Sequence, residues 1–178
     1  PIKSSAASDV YKRQTVDLSE YTPRGSARNN EYITNQMTFI GYNTANPLLS
    51  GVETRQGLSN IVDKDSIVNS TIYSRGKASN ISINPSSIFY YDTSTKFKPD
   101  EILTTQHLGN DKWGLDNDGK YVRHVGAQKQ VLQFEILTNS DSAEKVNIAN
   151  EVADSYTRFG IPTTCLLYTS DAADDLIG

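Results

Sequence analysis

Apolar and polar positions alternate most clearly between residues 132 and 136, where Leu132, Phe134 and Ile136 interleave with Gln133 and Glu135. A period of two predicts a half-buried strand. The pattern then changes. Val146, Ala149, Val152, Ala153, Tyr156 and Phe159 fall near i, i+3 and i+7, so they share one face of a helix. Between the two periodicities, Thr138-Asn139-Ser140-Asp141 offers side-chain oxygens for a helix N-terminus, with Glu144 three residues after Asp141 in capping-box spacing. Gly160 supplies a left-handed C-cap position and Pro162 bars continuation. Leu132, Phe134, Ile136, Val146, Ala149, Val152, Tyr156 and Phe159 are therefore the candidate core and interface residues.

Upstream the signals are shorter. Residues 15–30, with Pro23, Gly25 and paired Asn29-Asn30, read as an extended arm or loop carrying Arg24 and Arg28 as solvated charges. Ile33, Met37 and Phe39 favour a strand over Glu31 to Ile40. Gly41 to Gly57 reads as loop, with Leu48-Leu49 plugging a core edge. Ile61-Val62, Ile67 to Tyr73, Ser79 to Ile83 and Ser87 to Tyr91 read as short strands. Lys98-Pro99-Asp100-Glu101 starts a short helix with Ile102, Leu103 and Leu108 on its apolar side and Gly109 at its end. Asn117-Asp118-Gly119, between Trp113 to Leu115 and Tyr121 to Val125, is the sharpest hairpin signal. A connection from Gly126 to Gln130 leads into the last strand. The sum is an α+β fold: an antiparallel β-sheet with a short mid-chain helix and one C-terminal amphipathic helix packed on the sheet.

The two ends read differently. Ser4-Ser5-Ala6-Ala7-Ser8-Asp9-Val10-Tyr11-Lys12-Arg13-Gln14 matches the in-frame translation of a transposase-type sequencing-library adaptor. Cys165-Leu166-Leu167-Tyr168-Thr169-Ser170-Asp171-Ala172-Ala173-Asp174 matches its reverse complement. One barcode read on opposite strands accounts for Pro1-Ile2-Lys3 and for Asp175-Leu176-Ile177-Gly178. The expectation is three segments: adaptor-derived residues at 1–14 and 165–178, and between them, at 15–164, a single β-rich domain or a fragment of a larger one. Cys165-Leu166-Leu167-Tyr168 is then not expected to be core.

Charge and composition narrow the chemistry. The formal net charge is −4. The ends hold Lys3, Lys12 and Arg13 against Asp9, Asp171, Asp174 and Asp175, so the remainder carries −3. That balance does not support nucleic acid as the main partner. The single cysteine lies in the adaptor-like tail, which leaves no disulfide framework or thiolate metal site. No apolar run reaches the 18 or so residues a membrane span needs, so no membrane partner is expected. Asp116-Asn117-Asp118-Gly119 resembles a calcium loop, but counting back from Gly119 puts Gly114 first and Val125 twelfth, and a turn is the better reading. His107 and His124 lack zinc-ligand spacing. Asp63 with Asp65, and Asp100 with Glu101, suit a solvated turn and a helix N-terminus respectively. Asn69-Ser70-Thr71 and Asn80-Ile81-Ser82 fit the N-glycosylation pattern, as chance allows in an Asn- and Ser-rich chain. No nucleophile elbow, phosphate loop or dinucleotide fingerprint occurs, so no catalytic residue or cofactor is assigned.

The strand, Thr138-Asn139-Ser140-Asp141, the helix and Ile161-Pro162 together resemble the C-terminal passage of coat proteins from single-stranded RNA phages. Glu135-Ile136-Leu137 followed by an Ala-rich helix resembles tail-terminator and neck proteins of tailed phages. These resemblances imply a non-catalytic, self-associating virion module whose partners are other virion proteins. The alternative is a fragment of a larger enzyme or ligand-binding protein, for which a pocket gathering Tyr121, His124 and acidic side chains would be the sign. In either case Phe134→Ala is expected to cost about 3–5 kcal/mol in chemical denaturation if the ring is core.

Overall fold

Short polar side chains that can take over free amides decide where most helices of this chain begin. The computed structural model describes residues 34, 36–72, 75–91 and 97–169. Among them are helices α1 (Val52–Ser59), α2 (Lys64–Thr71), α3 (Glu101–Asn110) and α4 (Ala143–Arg158). The strands are β1 (Gly114–Leu115), β2 (Tyr121–Val125), β3 (Gln128–Val131), β4 (Phe134–Asn139) and β5 (Thr163–Tyr168). Asp63 caps α2 by accepting from the Ser66 amide at 3.0 Å, and Asp100 caps α3 through the Leu103 amide at 2.8 Å. Ser142, rather than the expected Asp141, caps α4 through the Lys145 amide. Asp141 instead closes a local turn, its amide donating to Asn139 Oδ1 at 2.6 Å.

Helix α1 has no such cap in its own sequence. Gly51 precedes it, and the carboxylate of Asp111, arriving from beyond α3, accepts from the Thr54 amide at 2.7 Å and the Thr54 hydroxyl at 2.6 Å. The indole N–H of Trp113 donates to the same hydroxyl at 2.9 Å. A Cβ at Gly51 would overlap the Asp111 carboxylate, so the glycine makes room for the borrowed cap. At Gly57 the backbone of α1 meets Leu108 and Thr104 of α3 closely, and Thr104 donates to the Gly57 carbonyl.

The sheet is not the single antiparallel one expected. β1, β2 and β3 form an antiparallel three-stranded sheet, while β4 and β5 form a separate parallel pair joined through α4. Both β1–β2 and β2–β3 are hairpins, with Gly119 and Gly126 at φ +72° and +61° in their turns. Residues 128–130, expected as connection, belong to β3. Its polar Gln128-Lys129-Gln130 is a blunted edge strand without an apolar face to announce it. The hairpins reach the helix end: the Tyr121 amide donates to the Gly160 carbonyl, and the Tyr121 ring stacks on Phe159 at 5.6 Å.

Other expectations are corrected as well. Residues 52–57, read as loop, belong to α1, and Ile67, read in a strand that ended at Tyr73 outside the described residues, is buried in α2. The Asp63 cap and burial of Ile67 outweigh weak helix propensity there. Residues 79–83 and 87–91 are bends and turns, because Ser79, Asn84 and Ser87 each accept an amide two residues on and withdraw it from any ladder. The strand over 31–40 lies partly outside the described residues, and residues 36–40 have no ladder partner among the described ones. On α3, Ile102 is exposed, and Thr104 with Leu108 faces the core.

The core is centred on Leu58, Leu108, Leu132, Tyr156 and Ile161, all fully buried. Ala149 and Val152 are buried beside them, whereas Val146, Phe134, Ile136 and Phe159 are half-buried. β5 crosses residue 164, and Leu166 and Leu167 of that strand are exposed. Thr54→Val is expected to cost about 1–3 kcal/mol, since it strands the Trp113 N–H in the core. Thr54→Ser should retain most of that stability in urea denaturation; equal losses in the two variants would refute the role given to the hydroxyl.

Candidate functional site

A concavity follows from how α4 and the 37–49 segment flank β4. It holds about 1040 Å³. Its floor is apolar, with Leu49, Phe134, Val152 and Tyr156, and its rim is polar, with Asn43, Asn46, Gln133, Asn139, Lys145 and Tyr168. Phe134 meets Tyr156 edge-on at 5.3 Å, which fixes the floor. The Tyr156 hydroxyl is buried and pairs with the Tyr42 hydroxyl at 3.0 Å. Burial, and then the neighbouring Tyr42, pushes the Tyr156 phenol well above its ordinary value of 10.0, so it stays neutral.

The loop that carries Asn43 and Asn46 is held from two sides. Arg55 donates to the carbonyls of Leu49 and Ser50, both at 2.7 Å. Arg123 donates to the Pro47 carbonyl at 3.0 Å while its guanidinium lies 4.2 Å from the Trp113 ring. Leu49 is buried under this clamp and Leu48 packs against the core. The Arg123 contact had no signal in the sequence, since donor and acceptor are 76 residues apart.

The candidate residues from the sequence fall in two groups. Phe134, Ile136, Ala149, Val152 and Tyr156 come together along the groove; Leu132, Val146 and Phe159 lie outside its lining. Tyr121 and His124 do not share a pocket. They are three residues apart on β2, so their side chains leave opposite faces: Tyr121 is buried against Phe159 and His124 is exposed. His107 pairs instead with Glu53, Nδ1 to Oε2, at 2.9 Å, and Asn110 donates to the same oxygen at 2.8 Å. The Asp116 carboxylate is fully engaged in its turn, accepting from the Asp118 and Lys120 amides at 3.0 Å and from Lys129 at 2.8 Å. Among the described residues no group of three or more His, Cys, Asp or Glu side chains is placed to hold a metal ion. No described helix is long and apolar enough to cross a membrane.

The model of the bacterial extracellular solute-binding proteins, family 5 Middle, matches residues 2–175. The chain belongs to that family. Solved structures share its fold. The oligopeptide-binding protein AppA of Bacillus subtilis, in complex with a nonapeptide, is 24% identical with a TM-score of 0.66, over 76% of this chain and 27% of that one. NikZ of Campylobacter jejuni, in complex with Ni(L-His), is 20% identical with a TM-score of 0.63, over 72% and 25% respectively. A mannohexaose-bound periplasmic oligopeptide-binding protein of Thermotoga maritima gives 20% and 0.63, over 75% and 26%. The chain thus spans about a quarter of the length of these relatives. Comparison with curated protein sequences gives no significant match.

The family match overturns the phage resemblance, and with it the self-associating virion module and its virion partners. Thr138-Asn139-Ser140-Asp141 resembles a coat-protein string because any strand-to-helix passage needs short polar caps; here Asn139 and Ser142 supply them. The alternative, a piece of a larger ligand-binding protein, is the reading the match supports.

Three carboxylates define the acid behaviour of this region. Glu53 is held below its ordinary 4.5 by the Asn110 amide and then His107, Asp63 below 3.8 by the Ser66 amide, and Asp116 below 3.8 by Lys129. Folded carboxylates with lowered values bind fewer protons than unfolded ones, so their stabilisation is complete above the ordinary values and is lost as pH falls through the lowered ones. Urea midpoints are expected to be level in this respect from pH 7 to about 5 and to fall below about pH 4. Asp116→Asn should flatten part of that fall.

Proposed function

We propose that this chain forms part of one wall of a solute cleft in an extracytoplasmic binding protein that delivers its solute to an ABC-type importer. The carrying observation is the family match across residues 2–175. The groove adds chemistry. Its apolar floor with amide and hydroxyl groups at the rim suits an extended, largely neutral solute such as a short peptide, and the described residues assemble no set of ligands for a bare metal ion. In sheets with strands joined through helices, ligands sit beyond the carboxyl ends of the strands. Here that end of β4 carries Asn139, with Lys145 on the first turn of α4 and Tyr168 at the end of β5. The phosphate-type and catalytic signatures missing from the sequence are not required for such a role.

The full-length binding protein whose cleft this wall would line is the protein to assay. Isothermal titration of that full-length protein with a mixed tri- to nonapeptide set, with nickel–histidine and with a manno-oligosaccharide separates the solute classes. Peptide binding is expected in the micromolar range, and Asn139→Ala with Lys145→Ala should weaken it at least about fivefold, or about 1 kcal/mol. Binding of none of the three classes, or full affinity in the double variant, would count against the groove as the cleft wall.

A further inference from the structure

The loop that brings Asn43 and Asn46 to the groove rim is a run of tight turns. The Asn46 amide donates to the Asn43 carbonyl at 3.1 Å, and the Leu49 amide to the Asn46 carbonyl at 2.9 Å. The Asn43 and Asn46 side chains accept the Ala45 and Leu48 amides, both at 3.0 Å. Local bonds of this kind give the loop its shape. They do not decide where it stands against β4, because both partners of each lie within the loop.

The ties to other elements decide that. Tyr42 reaches Tyr156 at the start of the loop. Arg55 belongs to α1, the helix into which the loop runs, so it joins loop to helix without fixing either. Arg123 comes from the three-stranded sheet, and its Nη2 donates to the carbonyl of Pro47, the residue after Asn46, at 3.0 Å. The guanidinium is itself held. Its Nε donates to Oε1 of Gln130, its cross-strand partner on β3, at 3.0 Å. It lies 4.2 Å from the Trp113 ring, which is buried with its N–H on the Thr54 hydroxyl. A half-buried guanidinium with two acceptors and an aromatic face to satisfy is confined to one placement. Neither Arg123, Gln130 nor Trp113 lines the groove.

We propose, resting on the reading of the groove as the wall of a solute cleft, that Arg123 is a positioning residue for the solute. From outside the groove it sets where Asn43 and Asn46 stand along the rim. The rim is thus registered against β2, a strand that does not itself line the groove. Lysine is not a substitute, since an ammonium has no plane to lay on the indole while it reaches two acceptors.

The test uses the full-length binding protein and its Arg123→Gln and Arg123→Lys variants. Amide exchange read by mass spectrometry over residues 43–50 needs no solute, and exchange over α4 reports the integrity of the fold. Both variants are expected to speed exchange over 43–50 at least about tenfold with α4 unchanged. Titration with the tri- to nonapeptide set is expected to show affinity lowered at least about fivefold in both. That loss should persist in an Asn139→Ala background and shrink below about twofold in an Asn46→Ala background, because residues that act through one another are not additive. A general loosening of the fold would instead add in both backgrounds. Unchanged exchange over 43–50, exchange speeded equally over α4, or a loss that adds fully to Asn46→Ala would overturn the role of Arg123 and leave the groove reading standing. Failure of the unsubstituted protein to bind the peptides would overturn the peptide-cleft reading and this proposal with it.

Discussion

The burial of Tyr156 is the constraint on which this architecture turns. Its ring closes the space between α4 and β4 by meeting Phe134 edge-on, and its backbone carbonyl accepts from the Phe159 and Ile161 amides, which turns the chain out of the helix toward β5. Gly160 makes that exit with φ +93°, and a side chain there would overlap the Gly119 carbonyl, so the helix end and the β1–β2 turn are fitted to each other. The Tyr156 hydroxyl is the polar cost of this arrangement. It is met by Tyr42, which ties the groove's far wall to the helix.

What could be read in the sequence was what is encoded locally. The α4 face, the Asn117-Asp118-Gly119 turn and the Asp100 start of α3 depend on neighbours within one or two turns, and local patterns report them. Helix α1 could not be read this way. Its cap is Asp111, and the observation that Gly51 must be small makes sense only once that carboxylate is in place. β-branched Ile67 and Val68 mimic a strand, and only the Asp63 cap and the burial of Ile67 settle α2. The serine and asparagine turns at 79–89 show the converse, with strand-like apolar residues in a backbone whose amides are already taken.

The same distinction explains why the virion resemblance misled. A strand followed by polar caps and an amphipathic helix is a solution to backbone hydrogen bonding, shared by unrelated proteins. The contacts that distinguish this chain are long-range: Arg123 clamping the 47–50 loop, Trp113 reaching Thr54, and Tyr42 reaching Tyr156. The groove is made by those contacts more than by any motif, so no local pattern announces it.

The parallel pair itself argues for a larger setting. Parallel strands are ordinarily covered on both faces, because helical crossovers pack against them. Here α4 covers one face, on which Ile136 is half-buried, while Leu137 and its register partner Leu166 remain 61% and 45% exposed on the other. Two paired leucines left in water run against the roughly 25 cal/mol per Å² that burial of apolar surface contributes. An uncovered sheet face is therefore what one expects of a chain that spans about a quarter of the length of its structural relatives. The groove and this face lie against the same strand, so whatever covers the face also shapes the groove.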